Sequence, residues 1–479
     1  MWPWRWSTRG CVLSSAAVSA AAKQDGGWFK LDPITRRRLQ RFRRIKRGWW
    51  SFIILLVAMA LSVIAPLLAE SRALAVWHNG TLHLPTFQYL EMKTFGQEAP
   101  AGWDGNEIET EYFRLQREWE VERFMHARDS KAAGNDDAKL TAVDAKYPNR
   151  VNRVVMPPIP WNPYQNDFSS NEILPEIQRA LTAGQTERAE RLARRDGLID
   201  LAEAIAGGSI TALLADPAKS PTGTVAGLAR SGALPSLKGL GTPPPHAPSA
   251  AKRHYLGTDA QGRDVASRLL YGFRISIFFA LFLTLSAQIV GTLIGSLQGY
   301  LAGRFDMLSQ RVIEVLIAIP GLYVVIILAA LFQPTFWMLL GILALFQWIS
   351  ITFFMRTEMY REKTREYCLA ARSYGASHLR IVFRHLLPNC LTPLVTFTPF
   401  AVVGAIFALT GLDFLGYGLP APTPSWGELI DQALQTQNRD KLWLILSPFT
   451  ALTITLVLVV FIGESVREAF DPKQFARYE

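Results

Sequence analysis

Cysteine is scarce in this 479-residue chain, and the motifs of several enzyme classes are missing from it. The three cysteines are Cys11, Cys368 and Cys390, so a disulfide framework is excluded for the polar region at 70–253. The sequence contains no GxxxxGK(S/T) loop, and the chain therefore does not bind ATP through such a loop. It also lacks HExxH, paired Cys/His spacing and GxSxG. We therefore expect no catalytic residue, no metal site and no cofactor bound by this chain.

Ionisable residues are rare inside the apolar runs, which are about 20 residues long and thus long enough to span a bilayer core. We expect six such spans, at 49–69, 275–298, 312–332, 335–355, 391–411 and 442–462. Glu314 is an exception: it either faces the pore or pairs with Arg311 one turn earlier, and a structural role is favoured over a proton site. An ion-coupled transporter needs carboxylates at membrane mid-depth, so their scarcity favours energy coupling from outside the chain. The ion-coupled transporter remains an alternative.

Positive charge is concentrated beside the spans, in a chain with a formal net charge of +10. The cluster at 36–47 precedes Trp49 and Trp50, which places the N-terminal region 1–48 in the cytoplasm. Nucleic-acid binding is not favoured, because the cluster abuts a span. Alternation then puts the 356–390 loop, with its seven Arg and Lys residues, and the C-terminus in the cytoplasm. Residues 1–29 are expected to be a disordered tail, with only a faint likeness to a signal peptide.

The polar region at 70–253 follows the first span and is expected to be a periplasmic α+β insertion. Alternating apolar residues predict extended segments joined by a turn at Asn79 and Gly80. A charged helix is predicted at 109–128, followed by an extended MPPIPWNPY strip. Residues 171–229 predict two or three amphipathic helices, broken at Gly207–Gly208 and Pro217. Residues 231–253 are expected to be a linker.

The 356–390 loop predicts two short helices, at 366–373 and 377–386. Gly375 separates them, and Pro388 ends the second. This compact shape suits insertion into a groove on a partner protein, although an ordinary membrane loop is the alternative.

The same loop resembles the "EAA" loop of ABC importer permeases, through the pattern AA-x3-G-x12-P. Leu369 departs from it, because it stands where that family has glutamate. The resemblance implies docking on a cytoplasmic ATPase, with Ala370, Ala371 and Gly375 seated closely and Arg372, Arg380 and Arg384 at the rim. The expected coupling residues are Glu366, Ala370, Ala371, Arg372, Gly375, Ala376, Ile381, Arg384, Leu387 and Pro388.

A second stretch, HYLGTDAQGRDVASR, is similar to the signature of dipeptide and oligopeptide permeases. We expect Thr258 or Asp259 to cap a surface helix at 264–270 that orients the next span, and we assign this stretch no chemistry. Its signature residues are Leu256, Gly257, Thr258, Asp259, Gly262, Arg263, Asp264, Ser267 and Arg268.

A Gly, Pro and Trp-rich loop at 412–440 follows the fifth span. Its composition predicts a partly re-entrant segment at the membrane interface. In related permeases this region faces the substrate-binding protein. The loop residues singled out are Gly416, Gly418, Pro420, Trp426 and Gly427.

From 254 to 473 the chain resembles the C-type permeases of dipeptide and oligopeptide ABC importers, in particular the Yej-type permeases of microcin C and oligopeptide systems. The resemblance implies an all-α polytopic membrane protein of the type I ABC importer fold in the inner membrane. It further implies import of peptides, and a heterodimer with a second permease. The ATP and Mg would be used by partner ATPases, and a periplasmic peptide-binding protein would deliver the peptide. The segment at 171–230 looks like an addition to the family pattern, and we hypothesise that it forms a cap touching the binding protein. A membrane-anchored sensor is a further alternative.

Overall fold

The computed structural model describes residues 33–97, 108–167, 169–237, 244–250 and 252–470, and it is mostly helical. The tail expected at 1–29 lies outside these residues. Within them, five helices are long and apolar enough to cross a membrane, and a bent helix pair makes a sixth span if it is counted as one. The membrane-length helices are α2 (Lys46–Val63), α11 (Val265–Leu301), α14 (Phe336–Glu362), α17 (Leu391–Phe414) and α19 (Leu442–Phe470), and the bent pair is α12 (Gly303–Ala318) with α13 (Gly321–Leu331).

The basic segment before the first span is itself helical, as α1 (Pro33–Arg44). Helix α2 ends at Val63, and the short α3 (Ala65–Leu68) completes the region predicted as one span at 49–69. Arg47 forms ion pairs with Glu464 and Glu468 of α19, at 3.4 and 3.2 Å. The two ends of the chain's membrane bundle therefore meet on one side.

The span predicted at 312–332 is not continuous, which corrects the sequence prediction. Helices α12 and α13 meet at an angle of 64°. The break falls at Ile319 and Pro320, because proline has no N–H to donate to the preceding turn. Arg311 does pair with Glu314, at 2.6 Å.

Helix α11 is longer than predicted, because the surface helix expected at 264–270 and the span expected at 275–298 form one helix of 37 residues. Its length of about 55 Å exceeds the ~30 Å hydrocarbon core of a bilayer. Three glycines, Gly291, Gly295 and Gly299, lie against α14. A Cβ atom on Gly295 or Gly299 would lie 2.5 Å from a backbone oxygen of α14, so only glycine permits this close approach.

The insertion contains a three-stranded antiparallel sheet in the order β2-β1-β3, formed by β1 (Ala75–His78), β2 (Thr81–His83) and β3 (Arg153–Val155). The predicted turn at Asn79 and Gly80 is confirmed, while β3 was not predicted. One face of the sheet packs on α4 (Tyr112–Ala133), around the buried Trp119. Helix α5 (Asp137–Lys146) follows α4.

In the described part of the insertion, a second lobe holds five helices where two or three were predicted. Additional breaks occur at Gly184 and Gly197, so the amphipathic stretch divides into shorter pieces. The helices are α6 (Ser169–Thr182), α7 (Thr186–Arg195), α8 (Ile199–Ala206), α9 (Ile210–Ala215) and α10 (Val225–Ser231). Their apolar faces enclose a common core that includes Ile177 and Leu201.

Candidate functional site

Residues 356–362, which were predicted to begin the loop, instead form the last two turns of α14 (Phe336–Glu362), and the rest of the 356–390 loop folds into two short helical pieces around a glycine. Helix α15 (Glu366–Ser373) has the predicted bounds, and Gly375 follows in the left-handed conformation with φ +76°. The second piece differs from the regular helix expected at 377–386. It consists of α16 (His378–Arg380) and a π-helical turn, Ile381–Leu386. Pro388 has no N–H for the regular ladder, so the helix cannot continue across it in α form.

The inner side of the loop is anchored on the end of α14 by a buried apolar cluster. Cys368, Ile381 and Leu386 of the loop lie there, against Met355 and Met359. Ala371 and Ala376 also pack on this cluster. Two of the small residues expected at a partner surface therefore face this chain.

Polar contacts also tie the loop to α11, and they tie the adjoining end of α14 to α12. The Tyr300 hydroxyl lies 2.8 Å from Nδ1 of His378, and Lys363 donates to the Gly299 carbonyl at 2.8 Å. Arg356 donates two hydrogen bonds to Asp306, at 2.6 and 2.7 Å. The loop therefore contacts α11 directly, and the end of α14 that carries the loop contacts α12.

The outer side of the loop is exposed and partly apolar. Tyr374 is 91% exposed and Leu369 is 53% exposed. Leu379 and Phe383 are exposed on the second piece. The remaining predicted coupling residues on the outer side are also exposed, namely Glu366, Ala370, Arg372, Arg380, Arg384 and Pro388, whereas Ile381 is buried and Leu387 is half-buried.

The signature residues lie at the opposite end of α11, where they form a buried network of charges. Asp264 caps α11, since its carboxylate accepts from the Ser267 N–H at 2.7 Å. This corrects the expectation that Thr258 or Asp259 would be the cap. Asp259 instead accepts from Arg263 Nε, at 2.7 Å.

Arg268 is at the centre of this network and is completely buried. Its guanidinium is paired with Glu428 and lies 3.4 Å from Asp259. It also donates to three backbone carbonyls, those of Pro163 at 3.2 Å, Pro422 at 3.2 Å and Thr423 at 3.3 Å. The signature thus joins the insertion, helix α11 and the 412–440 loop at one point.

His254 forms a second contact between the insertion and α11. Its Nδ1 lies 2.8 Å from Asp264, and its Nε2 lies 3.3 Å from Asp167. The Trp161 ring stacks on the imidazole at 4.3 Å, and Lys252 pairs with the same Asp167. Burial lowers the pKa of His254, but the hydrogen bonds to the two carboxylates outweigh burial and leave its pKa above the usual value.

Close backbone approach explains two of the signature glycines. Gly257 has φ +75°, and a Cβ there would lie 2.7 Å from the His246 carbonyl. Gly262 accepts a backbone hydrogen bond from Asp167 at 2.8 Å. Leu256 is exposed, and Thr258 is buried with its hydroxyl accepting from the His246 N–H.

The 412–440 loop contains helix α18 (Trp426–Leu434), which packs on α11 and on the preceding helix α17. Trp426 donates from Nε1 to the Leu269 carbonyl, at 3.0 Å. A Cβ on Gly427 would lie 2.3 Å from the Thr410 carbonyl, and one on Gly418 would overlap Asp413. Gly416 follows the end of α17 with a positive φ, and Pro420 is exposed.

The partners of these residues were not predicted from the sequence. Glu428 and Asp167 are far along the chain from the arginine and histidine that they contact, and no local pattern marks them. The glycines of α11 were detectable, because Gly291, Gly295 and Gly299 form a G-x3-G-x3-G repeat, a typical helix-packing pattern in membranes.

These features define a multi-pass membrane protein with an anchored loop at one end of its longest helix and a charge network at the other. The family described as "Binding-protein-dependent transport system inner membrane component" matches residues 291–475. The chain is 32% identical over 467 residues to the peptidoglycan transport system permease protein YejE of Agrobacterium fabrum, covering 97% of this chain and 100% of that protein. It is 31% identical to the inner membrane ABC transporter permease protein YejE of Escherichia coli, covering 93% of this chain and 99% of that protein.

The chain therefore belongs to the family of binding-protein-dependent ABC transport permeases. It is a multi-pass inner-membrane permease subunit of an importer and not an enzyme, and systems of this family include an ATPase and a binding protein. The oligopeptide permease protein OppC of Lactococcus lactis is 34% identical and matches 47% of this chain and 77% of its own length.

Proposed function

We propose that this permease imports peptides of the oligopeptide or microcin C type. We further propose that the 356–390 loop binds an ATPase and couples the ATPase's conformational change to the membrane helices. The observation that carries the proposal is the two-sided character of the loop. Its inner side is fixed to α11 and α14, while its outer side exposes Tyr374 and Leu369. Exposed aromatic and aliphatic side chains on a rigid base are suited to a protein interface.

Gly375 sets the angle between the two helical pieces in this proposal. Its left-handed backbone turns the chain, and open space surrounds the position where a Cβ would be. Ala370 lets the partner approach closely, and Arg372, Arg380 and Arg384 provide rim charges. Ala371 and Ala376 act from the inner side, by allowing the loop to lie close to α14.

The topology that fits this function has six spans, with both termini and the 356–390 loop in the cytoplasm. Helices α12 and α13 then count as one broken span. The insertion at 70–253 and the signature network lie at the other end of α11, about 52 Å away along the helix, and thus in the periplasm. The exposed basic residues Arg43, Arg44 and Lys46 beside α2 support this orientation and would contact lipid headgroups.

The translocation path would be completed by a second permease subunit in a heterodimer. ATP and Mg would be used by partner ATPases, and a periplasmic peptide-binding protein would deliver the cargo. Peptides are the inferred cargo because the relatives OppC and DppC are named as oligopeptide and dipeptide transport permeases. Closure of the ATPase dimer would then bias the helix bundle between two states.

Uptake by reconstituted vesicles tests this function. Vesicles holding both permeases should accumulate a labelled oligopeptide only when ATPase, ATP and binding protein are all supplied. Accumulation driven by a proton or sodium gradient without ATPase would contradict the proposal and favour an ion-coupled transporter. ATPase stimulation by binding protein without peptide movement would contradict the cargo assignment.

A further inference from the structure

A cleft of about 1330 Å³ separates the two lobes of the insertion, and its floor rests on the signature network. Residues 160–167 form this floor. On one side they line the cleft, through Trp161, Tyr164 and others. On the other side, the Pro163 carbonyl accepts from Arg268, and the Asp167 N–H donates to the Gly262 carbonyl. A ligand in the cleft would therefore contact residues 160–167, which are hydrogen-bonded to Arg268 of α11 and to Gly262 just before it.

The charges of the cleft favour an anionic group. Seven cationic and five acidic side chains line it, which leaves an excess of two positive charges. Each of the five carboxylates lies within 4 Å of a lining cation, so none is left to recruit a cationic ligand. Arg179, by contrast, is exposed and donates to the Pro175 carbonyl at 3.3 Å. Its guanidinium keeps further donors for a carboxylate.

The cleft also has an apolar, aromatic wall. Phe113 and Trp161 meet edge to face at 5.4 Å, and the Arg117 guanidinium lies 5.1 Å from the Phe113 ring. The volume exceeds the roughly 300–1,000 Å³ typical of small-molecule sites. An extended ligand with apolar side chains and one terminal anion matches these walls better than a small ion does.

We propose that the cleft binds the C-terminal part of an extended oligopeptide, with its terminal carboxylate paired to Arg179. The inference rests on the proposed peptide-import function and adds a cargo site within the permease itself. A peptide bound here would lie on residues 160–167, which contact the signature residues at the start of α11. A surface loop of the binding protein is the rival occupant.

Fluorescence anisotropy of the complete permease–ATPase complex in nanodiscs, without binding protein, tests this site. The probes are a labelled phenylalanine-containing pentapeptide with a free C-terminus and its C-terminal amide. We expect saturable binding of the free acid and about tenfold weaker binding of the amide, since one charge-assisted hydrogen bond is lost. Equal binding of both probes, or no saturable binding of the acid, would overturn the proposal.

Two variants and a matched control locate the site. Arg179→Glu should weaken binding of the acid about tenfold, and Ala183→Trp should block the cleft sterically even if the first variant folds poorly. Arg191→Glu makes the same charge change on an exposed residue outside the cleft and should bind normally. Equal losses in Arg179→Glu and Arg191→Glu would overturn the assignment.

Two further readouts separate the remaining outcomes. A photoreactive group placed at Ala183 should capture the peptide, and capture of the binding protein alone would overturn the cargo assignment. ATP-driven uptake is measured on the same preparation. Uptake without peptide binding in the cleft would refute only this inference. Absence of uptake by the wild-type complex would refute the proposed function.

Discussion

Replacing Arg268 by methionine should loosen the joint between the insertion, α11 and the 412–440 loop. The substitution keeps the apolar stem and removes the guanidinium, which is paired with Glu428 and bonded to three carbonyls. Removing one partner of a buried ion pair costs about 3–5 kcal/mol. Arg263 still pairs with Asp259 and Glu428, each at 2.7 Å, so neither carboxylate is orphaned. We therefore expect Arg268→Met to lower the free energy of unfolding by about 3 kcal/mol, the lower end of this range.

Thermal unfolding of the detergent-solubilised chain, followed by size-exclusion chromatography of the remaining monodisperse protein, measures this loss. A destabilisation of about 3 kcal/mol corresponds to a fall in Tm of roughly 5 °C, since larger proteins shift less per kcal/mol. Arg274→Met is the matched control, because this arginine of the same helix stacks on Tyr271 at 5.0 Å and should cost under about 1 kcal/mol. A Tm for Arg268→Met equal to that of the control would refute the argument.

Three further predictions concern the helix contact, the loop turn and the histidine. Gly295→Leu should force α11 from α14, so cysteine pairs across these helices would crosslink more slowly, whereas unchanged crosslinking would contradict tight packing. Gly375→Val should cost about 1–2 kcal/mol in the loop and reduce uptake severalfold, while Gly232→Val, at a similar left-handed turn directly after α10, should leave uptake normal. The raised pKa of His254 means that its stabilising charge is complete below pH ~6.5 and is lost as pH rises through the higher folded value. Protease resistance of the insertion should therefore fall as the pH rises above ~6.5 in the wild type but not in His254→Gln, and a flat wild-type profile would show that the charge is unimportant.

Local signals in the sequence were sufficient for much of the fold. Apolar length located the membrane helices, and Asn79–Gly80 located the hairpin, because both depend on neighbouring residues. The prediction of α15 was correct to the residue, since Gly375 ends it by a local turn. Pro320 is a local signal for the bend between α12 and α13, but the length of the apolar run around it predicts one continuous span.

Long-range pairing was not predictable in the same way. Arg268 and Glu428 are separated by 160 residues, and only the tertiary packing of the chain brings them into contact. The inward orientation of Ala371 and Ala376 depends on where α14 ends, which periodicity in an eight-residue helix cannot reveal. The two additional breaks in the second lobe fall at Gly184 and Gly197, which both have a positive φ.

The contact between Tyr374 and a partner ATPase is the most direct test of the central claim. Tyr374 is 91% exposed, so Tyr374→Ala should leave the chain's own Tm unchanged. A central interface tyrosine contributes about 2 kcal/mol, which corresponds to roughly 30-fold weaker binding of the ATPase. Phe87→Ala, which truncates a 79%-exposed residue of the insertion, is the control and should bind normally. We predict a selective loss of ATPase binding for Tyr374→Ala, measured by biolayer interferometry on nanodiscs, and unaltered binding would contradict the account.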